Sequence, residues 1–308
     1  MTRYLGRRAV ELVIVFLGVT LIVFLMVFAL PGDPIAALGG DRPLPANVIA
    51  ELRGRYHLDE PVLQQYLRYL GGLFTGDLGT TFQGQSVADR MSSRWPVTIT
   101  LALTAWGIEV VLGVLLGLFA GLRKGRFGDR LVLAGTILAT SVPVFVVAVT
   151  AQLVLGVRLG WFPVAGTADG WPSGYLLPAT VVAIFGLASV TRLMRGSVID
   201  TLNSDFVRTL RAKGLRERRV VGVHVMRNSA LPVMTYLAID LGYLLGGTVV
   251  VEGVFNLPGV GQLLFQAIRT HEGPTVVGVS TALILIFLLT NLVVDLLSSV
   301  LDPRIRHE

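Results

Sequence analysis

The chain has 308 residues, 53% of them hydrophobic and only 15% charged, with a mean hydropathy of +0.70. Soluble domains carry about one-quarter charged residues, so this composition excludes a water-soluble globule. The net charge of +6 would fit a nucleic-acid partner only if the cations gathered on a soluble face. Here they sit between apolar runs, and with no cysteine there is neither a disulfide framework nor a thiolate nucleophile or metal ligand.

A spanning helix needs about 20 apolar residues to cross about 30 Å of hydrocarbon. Six runs of that kind occur, at roughly 9–30, 97–122, 131–157, 176–194, 231–252 and 275–301. The first follows Arg3, Arg7 and Arg8 like a secretory signal. Its apolar stretch from Leu12 to Leu30 is longer than the usual signal core, so it reads as a retained span. The second carries Gly113, Gly117 and Gly121, a doubled small-xxx-small pattern that predicts a close helix contact inside the protein. Pro143 removes a backbone hydrogen bond from the third and predicts a kink there.

Alternate connections differ sharply in charge. Of the 26 Lys and Arg residues, 18 lie in the N-terminus, 123–130, 192–230 and the C-terminus, four of them in the eight residues that hold Arg123, Lys124, Arg126 and Arg130. The positive-inside rule then places both termini and the 192–230 segment in the cytoplasm. The 31–96 connection is external. Within it Leu63, Tyr66, Leu67, Leu70 and Phe74 recur at helical spacing, which predicts an amphipathic helix on the outer membrane surface or against the spans.

Two acids, Glu109 and Asp240, fall near mid-membrane, where ionisable groups are costly. They are read either as an interhelical hydrogen bond or as part of a solute path. Glu11 and Asp295 lie nearer an interface and reach water.

Residues 192–230 exceed what joins two helices. Asn203 and Ser204 suit an N-cap, Asp205 suits the positive end of a helix dipole, and Gly214 suits a left-handed C′ position. A short helix from Asp205 to Lys213 follows, with Phe206 and Leu210 on one face and Arg208, Arg211 and Lys213 around it. Such a helix fits a partner's groove or an anionic lipid surface.

From Asp205-Phe206-Val207-Arg208-Thr209-Leu210-Arg211-Ala212-Lys213-Gly214-Leu215, followed by Arg227-Asn228 and Leu231-Pro232, the sequence resembles the dipeptide/oligopeptide permease family of binding-protein-dependent ABC importers. The resemblance continues in Pro31-Gly32-Asp33-Pro34, Tyr56-His57-Leu58-Asp59-Glu60-Pro61 and Gly76-Asp77-Leu78-Gly79-Thr80. It reaches Leu159-Gly160-Trp161-Phe162-Pro163-Val164, Val251-Glu252-Gly253-Val254-Phe255 with Pro258-Gly259-Val260-Gly261, and Leu301-Asp302-Pro303-Arg304. Arg208-Thr209-Leu210 stands where the wider superfamily often has Glu-Ala-Ala, as is common in the peptide branch. His271-Glu272-Gly273-Pro274 replaces a more usual Asp-Tyr-Pro.

The resemblance implies an all-α type I importer transmembrane domain over the whole chain, in the bacterial inner membrane, beside a second permease. It also implies two ATPase subunits that bind ATP and an external solute-binding protein. Asp205, Phe206, Arg208, Leu210, Arg211, Lys213 and Gly214 would form the ATPase-coupling helix. The solute would be a di- or oligopeptide or a peptide-like molecule, with nickel chelates, glutathione and haem carried by the same scaffold. Neither of the two lysines, Lys124 and Lys213, lies in a phosphate-binding loop, so no enzymatic role is expected. The scattered histidines have no metal-ligand spacing. An ion-driven secondary transporter is the rival reading; it would call for paired repeats with broken helices and more buried charge.

Overall fold

A computed structural model describes residues 2–28 and 45–301; the Pro31–Pro34 and Asp302–Arg304 motifs lie outside the described residues, as does the side chain of Asp295. In chain order the helices are α1 (Thr2–Phe28), α2 (Ala46–Arg55), α3 (Val62–Leu73), α4 (Val87–Ser92), α5 (Trp95–Ile108), α6 (Val114–Leu122), α7 (Phe127–Ser141) and α8 (Val144–Ala151). They continue as α9 (Ser173–Leu202), α10 (Asp205–Ala212), the single turn α11 (Glu217–Arg219), α12 (Met226–Gly247), α13 (Val249–Val254), α14 (Val260–Arg269) and α15 (Gly273–Leu301). Wider π-helical turns at Glu109–Gly113, Gln152–Arg158 and Val220–Val225 join or extend them.

Among the described residues five helical stretches are long and apolar enough to cross a membrane: Gly6–Phe28, Trp95–Leu122, Ser173–Leu202, Glu217–Val254 and Gly273–Val294. The pair Phe127–Ser141 and Val144–Arg158, bent by 99°, makes a sixth if its two halves are taken as one broken span. Pro143 sits at that break as the N-cap of α8, where a missing N–H costs nothing because the first helical N–H groups have no intrahelical acceptor. The expected kink is therefore a full break.

The helices also run past the apolar stretches. α9 continues through Arg192, Arg195 and Asp200 to Leu202, and a helix resumes at Glu217, so only 203–216 lie outside the two long helices in the segment read as a 192–230 loop. Hydropathy marks where the apolar face ends, whereas the backbone hydrogen-bond ladder carries on into water.

The chain folds as two compact units, one holding the described residues of 1–98 and 245–292, the other 99–244 and 293–301. In the first unit α3 packs on α1 through Tyr66 and Tyr69, whose rings lie 5.5 and 5.9 Å from that of Phe24. The Tyr66 hydroxyl donates to the Leu17 carbonyl at 3.0 Å and lies 2.9 Å from the Thr20 hydroxyl. These polar contacts fix the rotation of α3, so Tyr66 and Leu70 face inward, while Leu63, Leu67 and Phe74 remain exposed.

In the second unit α6 lies against α9. A Cβ placed at Gly113, Gly117 or Gly121 would come within 2.7, 2.6 and 2.7 Å of Val190, Met194 and Val198 respectively. Both sets repeat every four residues, so the glycines form a groove that receives one ridge of α9. The doubled glycine motif is thus an intra-protein contact, as the sequence predicts.

Candidate functional site

α10 stands between two long helices and owes its shape to local chemistry. Ser204 adopts an extended conformation at its N-terminus but makes no capping bond with its side chain, which donates instead to the Thr201 carbonyl. The C-terminus closes as a Schellman motif. Gly214 has φ of +77°, its N–H donates to the Arg211 carbonyl at 2.9 Å, and the Leu215 N–H donates to the Leu210 carbonyl at 3.3 Å.

That motif brings Leu210 against Leu215, and both pack on the core cluster of Val190, Met194, Val198, Val207 and Val220. Val207, fully buried, is the principal anchor. Leu210 is therefore turned inward, which departs from the expectation that it shares an outward face with Phe206. Phe206 does point out and is 41% exposed. Arg208 pairs with Asp205 at 3.2 Å on the exposed surface. Arg211 makes two hydrogen bonds with Glu217, at 3.1 and 2.6 Å, and so ties α10 to α11. Lys213 caps the helix and is exposed. The outward surface thus offers one aromatic ring with cations beside it.

Glu109 and Asp240, distant in sequence, are brought together. Glu109 opens the π-helical turn between α5 and α6 and is 1% exposed, and Asp240 on α12 is its acidic neighbour. The Glu109 carboxylate fills the space that a Cβ on Gly186 would need, 2.3 Å away. Tyr236 donates to Asp240 at 3.4 Å, yet neither oxygen of Glu109 nor Oδ2 of Asp240 has a hydrogen-bond partner among the described residues. Trp106, one turn before, donates to the Leu237 carbonyl at 2.9 Å. The two acids thus occupy one joint among α5, α9 and α12.

A third polar cluster was legible only as part of a motif. Glu252 is fully buried on α13 and accepts from the Thr98 and Thr248 hydroxyls, both at 2.8 Å, and from the Gln262 N–H at 3.0 Å. Thr98 in turn accepts the Val260 N–H at 2.9 Å. The carboxylate thus sits at the N-terminus of α14, where peptide dipoles favour negative charge. Gly259 and Gly261 permit this approach, since a Cβ there would fall 2.2 and 3.0 Å from Oε2 of Glu252. This is the physical content of the Val251–Phe255 and Pro258–Gly261 motifs: an acid, two hydroxyls and two glycines that lock the α13–α14 turn.

Residues 113–307 match the model of the binding-protein-dependent transport system inner membrane component family, and residues 1–102 match its N-terminal membrane component. The chain is 36% identical over 315 residues to a Brucella abortus protein named as a peptide transport system permease. It is 36% identical over 310 residues to the oligopeptide transport system permease protein OppB of Haemophilus influenzae, and 36% identical over 309 residues to the glutathione transport system permease protein GsiC of Escherichia coli. Each match covers the whole of both chains. With its all-helical fold and five to six helices able to cross a membrane, the chain belongs to the binding-protein-dependent transport system inner membrane component family and is an inner-membrane permease of an ABC importer.

Proposed function

We propose that this permease moves di- or oligopeptides, or a peptide-like solute, inward, driven by ATP hydrolysis in two partner ATPase subunits. A second related permease and an external solute-binding protein complete the complex. The observation that carries the coupling is α10: a short, closed helix outside both long helices, anchored from behind by Val207 and Leu210 and offering Phe206 with Arg208 and Lys213 to a partner. Interface energy concentrates in a few such anchors with a charged rim. Asp205, Arg211 and Gly214 complete the coupling helix and hold its geometry. Both termini and 203–216 lie in the cytoplasm, on the charge asymmetry of the connections.

The peptide class rests on relatives named for peptides and oligopeptides. Equal identity to the relative named for glutathione, itself a small peptide, supports that solute as a second reading. Glu109 and Asp240 fit an interhelical joint better than a solute-path wall, because Glu109 is enclosed against α9. The test is uptake of a labelled dipeptide and of labelled glutathione into vesicles that hold this chain with its partner subunits. Uptake should need internal or external ATP on the ATPase side and survive collapse of ion gradients. Uptake that follows an ion gradient without ATP would refute the proposal.

A further inference from the structure

The turn between α6 and α7 carries Arg123, Lys124, Arg126 and Arg130, all exposed. The single acid among residues 123–130, Asp129, does not neutralise them. It is buried and committed elsewhere: its Oδ1 and Oδ2 accept from Arg195 on α9, the latter at 2.8 Å, and Oδ2 also accepts the Gly125 N–H at 2.8 Å. None of the four cations lies within ion-pair distance of an acid among the described residues. The turn is nonetheless fixed in shape. Gly125 takes φ of +77°, the Arg123 guanidinium lies 4.0 Å from the centre of the Phe119 ring, and that ring also lies against Gly128.

Beside the cations Phe127 is 80% exposed, a large apolar side chain at the first position of α7. Leu131, Ala134 and Leu138 follow it at i+4, i+7 and i+11, all exposed, so the ring heads an apolar stripe that runs down one face of α7, the first half of the broken apolar pair. A soluble protein could meet the cations, but the stripe belongs in hydrocarbon, and the two surfaces are continuous. Where such a stripe enters a bilayer, cations at its head face the lipid phosphates. We propose that the 123–130 turn is a binding site for anionic phospholipid headgroups, with Arg123, Lys124 and Arg126 on the phosphates and Phe127 set among the upper acyl carbons.

The test is native mass spectrometry of the purified full-length chain, loaded in turn with phosphatidylglycerol and phosphatidylcholine. At about fivefold per cation near the lipid surface, three cations should favour the anionic lipid on the order of 100-fold. The triple variant Arg123→Gln, Lys124→Gln, Arg126→Gln should fall to the phosphatidylcholine level, while Arg123→Lys with Arg126→Lys keeps the preference. Phe127→Ser should weaken both lipids alike. If the triple variant does not fold, Lys124→Gln alone should lose roughly fivefold. Equal retention of the two lipids by the unmodified chain, or unchanged preference in the triple or single Gln variant, would overturn the proposal. So would loss of co-purifying protein subunits with lipid preference intact, which would assign the cations to a protein partner.

Discussion

Substituting Ala at Gly117 tests whether the α6–α9 contact is as close as it is described. The added Cβ would lie 2.6 Å from Cβ of Met194 and 2.7 Å from the Thr191 carbonyl oxygen, whereas carbon atoms pack best at about 3.5–4.0 Å. Neither contact is relieved by a rotamer change, because one partner is backbone and the other a Cβ. The helices must move apart by about 1 Å, which would also loosen Gly113 from Val190 and Gly121 from Val198. Overpacking of this kind costs about 1–3 kcal/mol, against a gain of about 0.5–1 kcal/mol from removing a mid-helix glycine. Gly117→Ala should therefore lose about 1–2 kcal/mol. Gly135→Ala on α7, where no atom lies within 4 Å of the new Cβ, should be neutral or slightly stabilising. Equilibrium unfolding in mixed micelles, followed by tryptophan fluorescence, separates the two. If Gly117→Ala is as stable as Gly135→Ala, the close-packing argument is wrong.

Glu252→Ala leaves the Thr98 and Thr248 hydroxyls and the Gln262 N–H without their acceptor, and at about 1–3 kcal/mol per buried orphan it should cost more than Glu252→Gln, which keeps one acceptor oxygen; melting temperatures check the order. Asp129→Ala strands the partly exposed Arg195 and should cost about 2 kcal/mol, below the 3–5 kcal/mol of a fully buried pair, read from the same unfolding curves. Phe206→Ala should leave the isolated chain's stability unchanged yet weaken association with the ATPase subunits about tenfold or more, whereas Leu210→Asp should destabilise the chain itself; co-purification beside melting temperature distinguishes them. Single cysteines at Ser204 and Thr167 in this cysteine-free chain should react with an impermeant thiol reagent from opposite sides of the membrane, and labelling from one side at both positions would contradict the orientation.

Much of the architecture was legible because the bilayer leaves few options. Apolar runs marked the spans, and Pro143 marked the break in α7–α8, since the missing N–H acts locally. The groove of Gly113, Gly117 and Gly121 could be read from spacing alone, and the start and end of α10 from Asp205 and Gly214. What escaped depends on partners far along the chain. The inward turn of Leu210 follows from its contact with Leu215 and the α9 core, and the rotation of α3 follows from a tyrosine hydroxyl reaching Leu17. The meeting of Glu109 with Asp240 has no local signature. Glu252 was visible only as a letter in a motif, because its role needs Thr98, 154 residues away in sequence.

The π-helical turn at Glu109–Gly113 acts as a phase-setting element for the whole second span. One residue more than an α-helix requires is accommodated there, and each residue of an α-helix advances the face by about 100°. Upstream of the turn, Trp106 must point at the Leu237 carbonyl; downstream, Gly117 must point at Met194. A regular helix through this stretch could satisfy one of these directions but not both. Removing a single residue from 109–113 would therefore let a regular helix keep both directions, whereas straightening the turn at its present length would act as a rotation of about 100°, dialling one end of the span away from its neighbour while leaving its composition untouched.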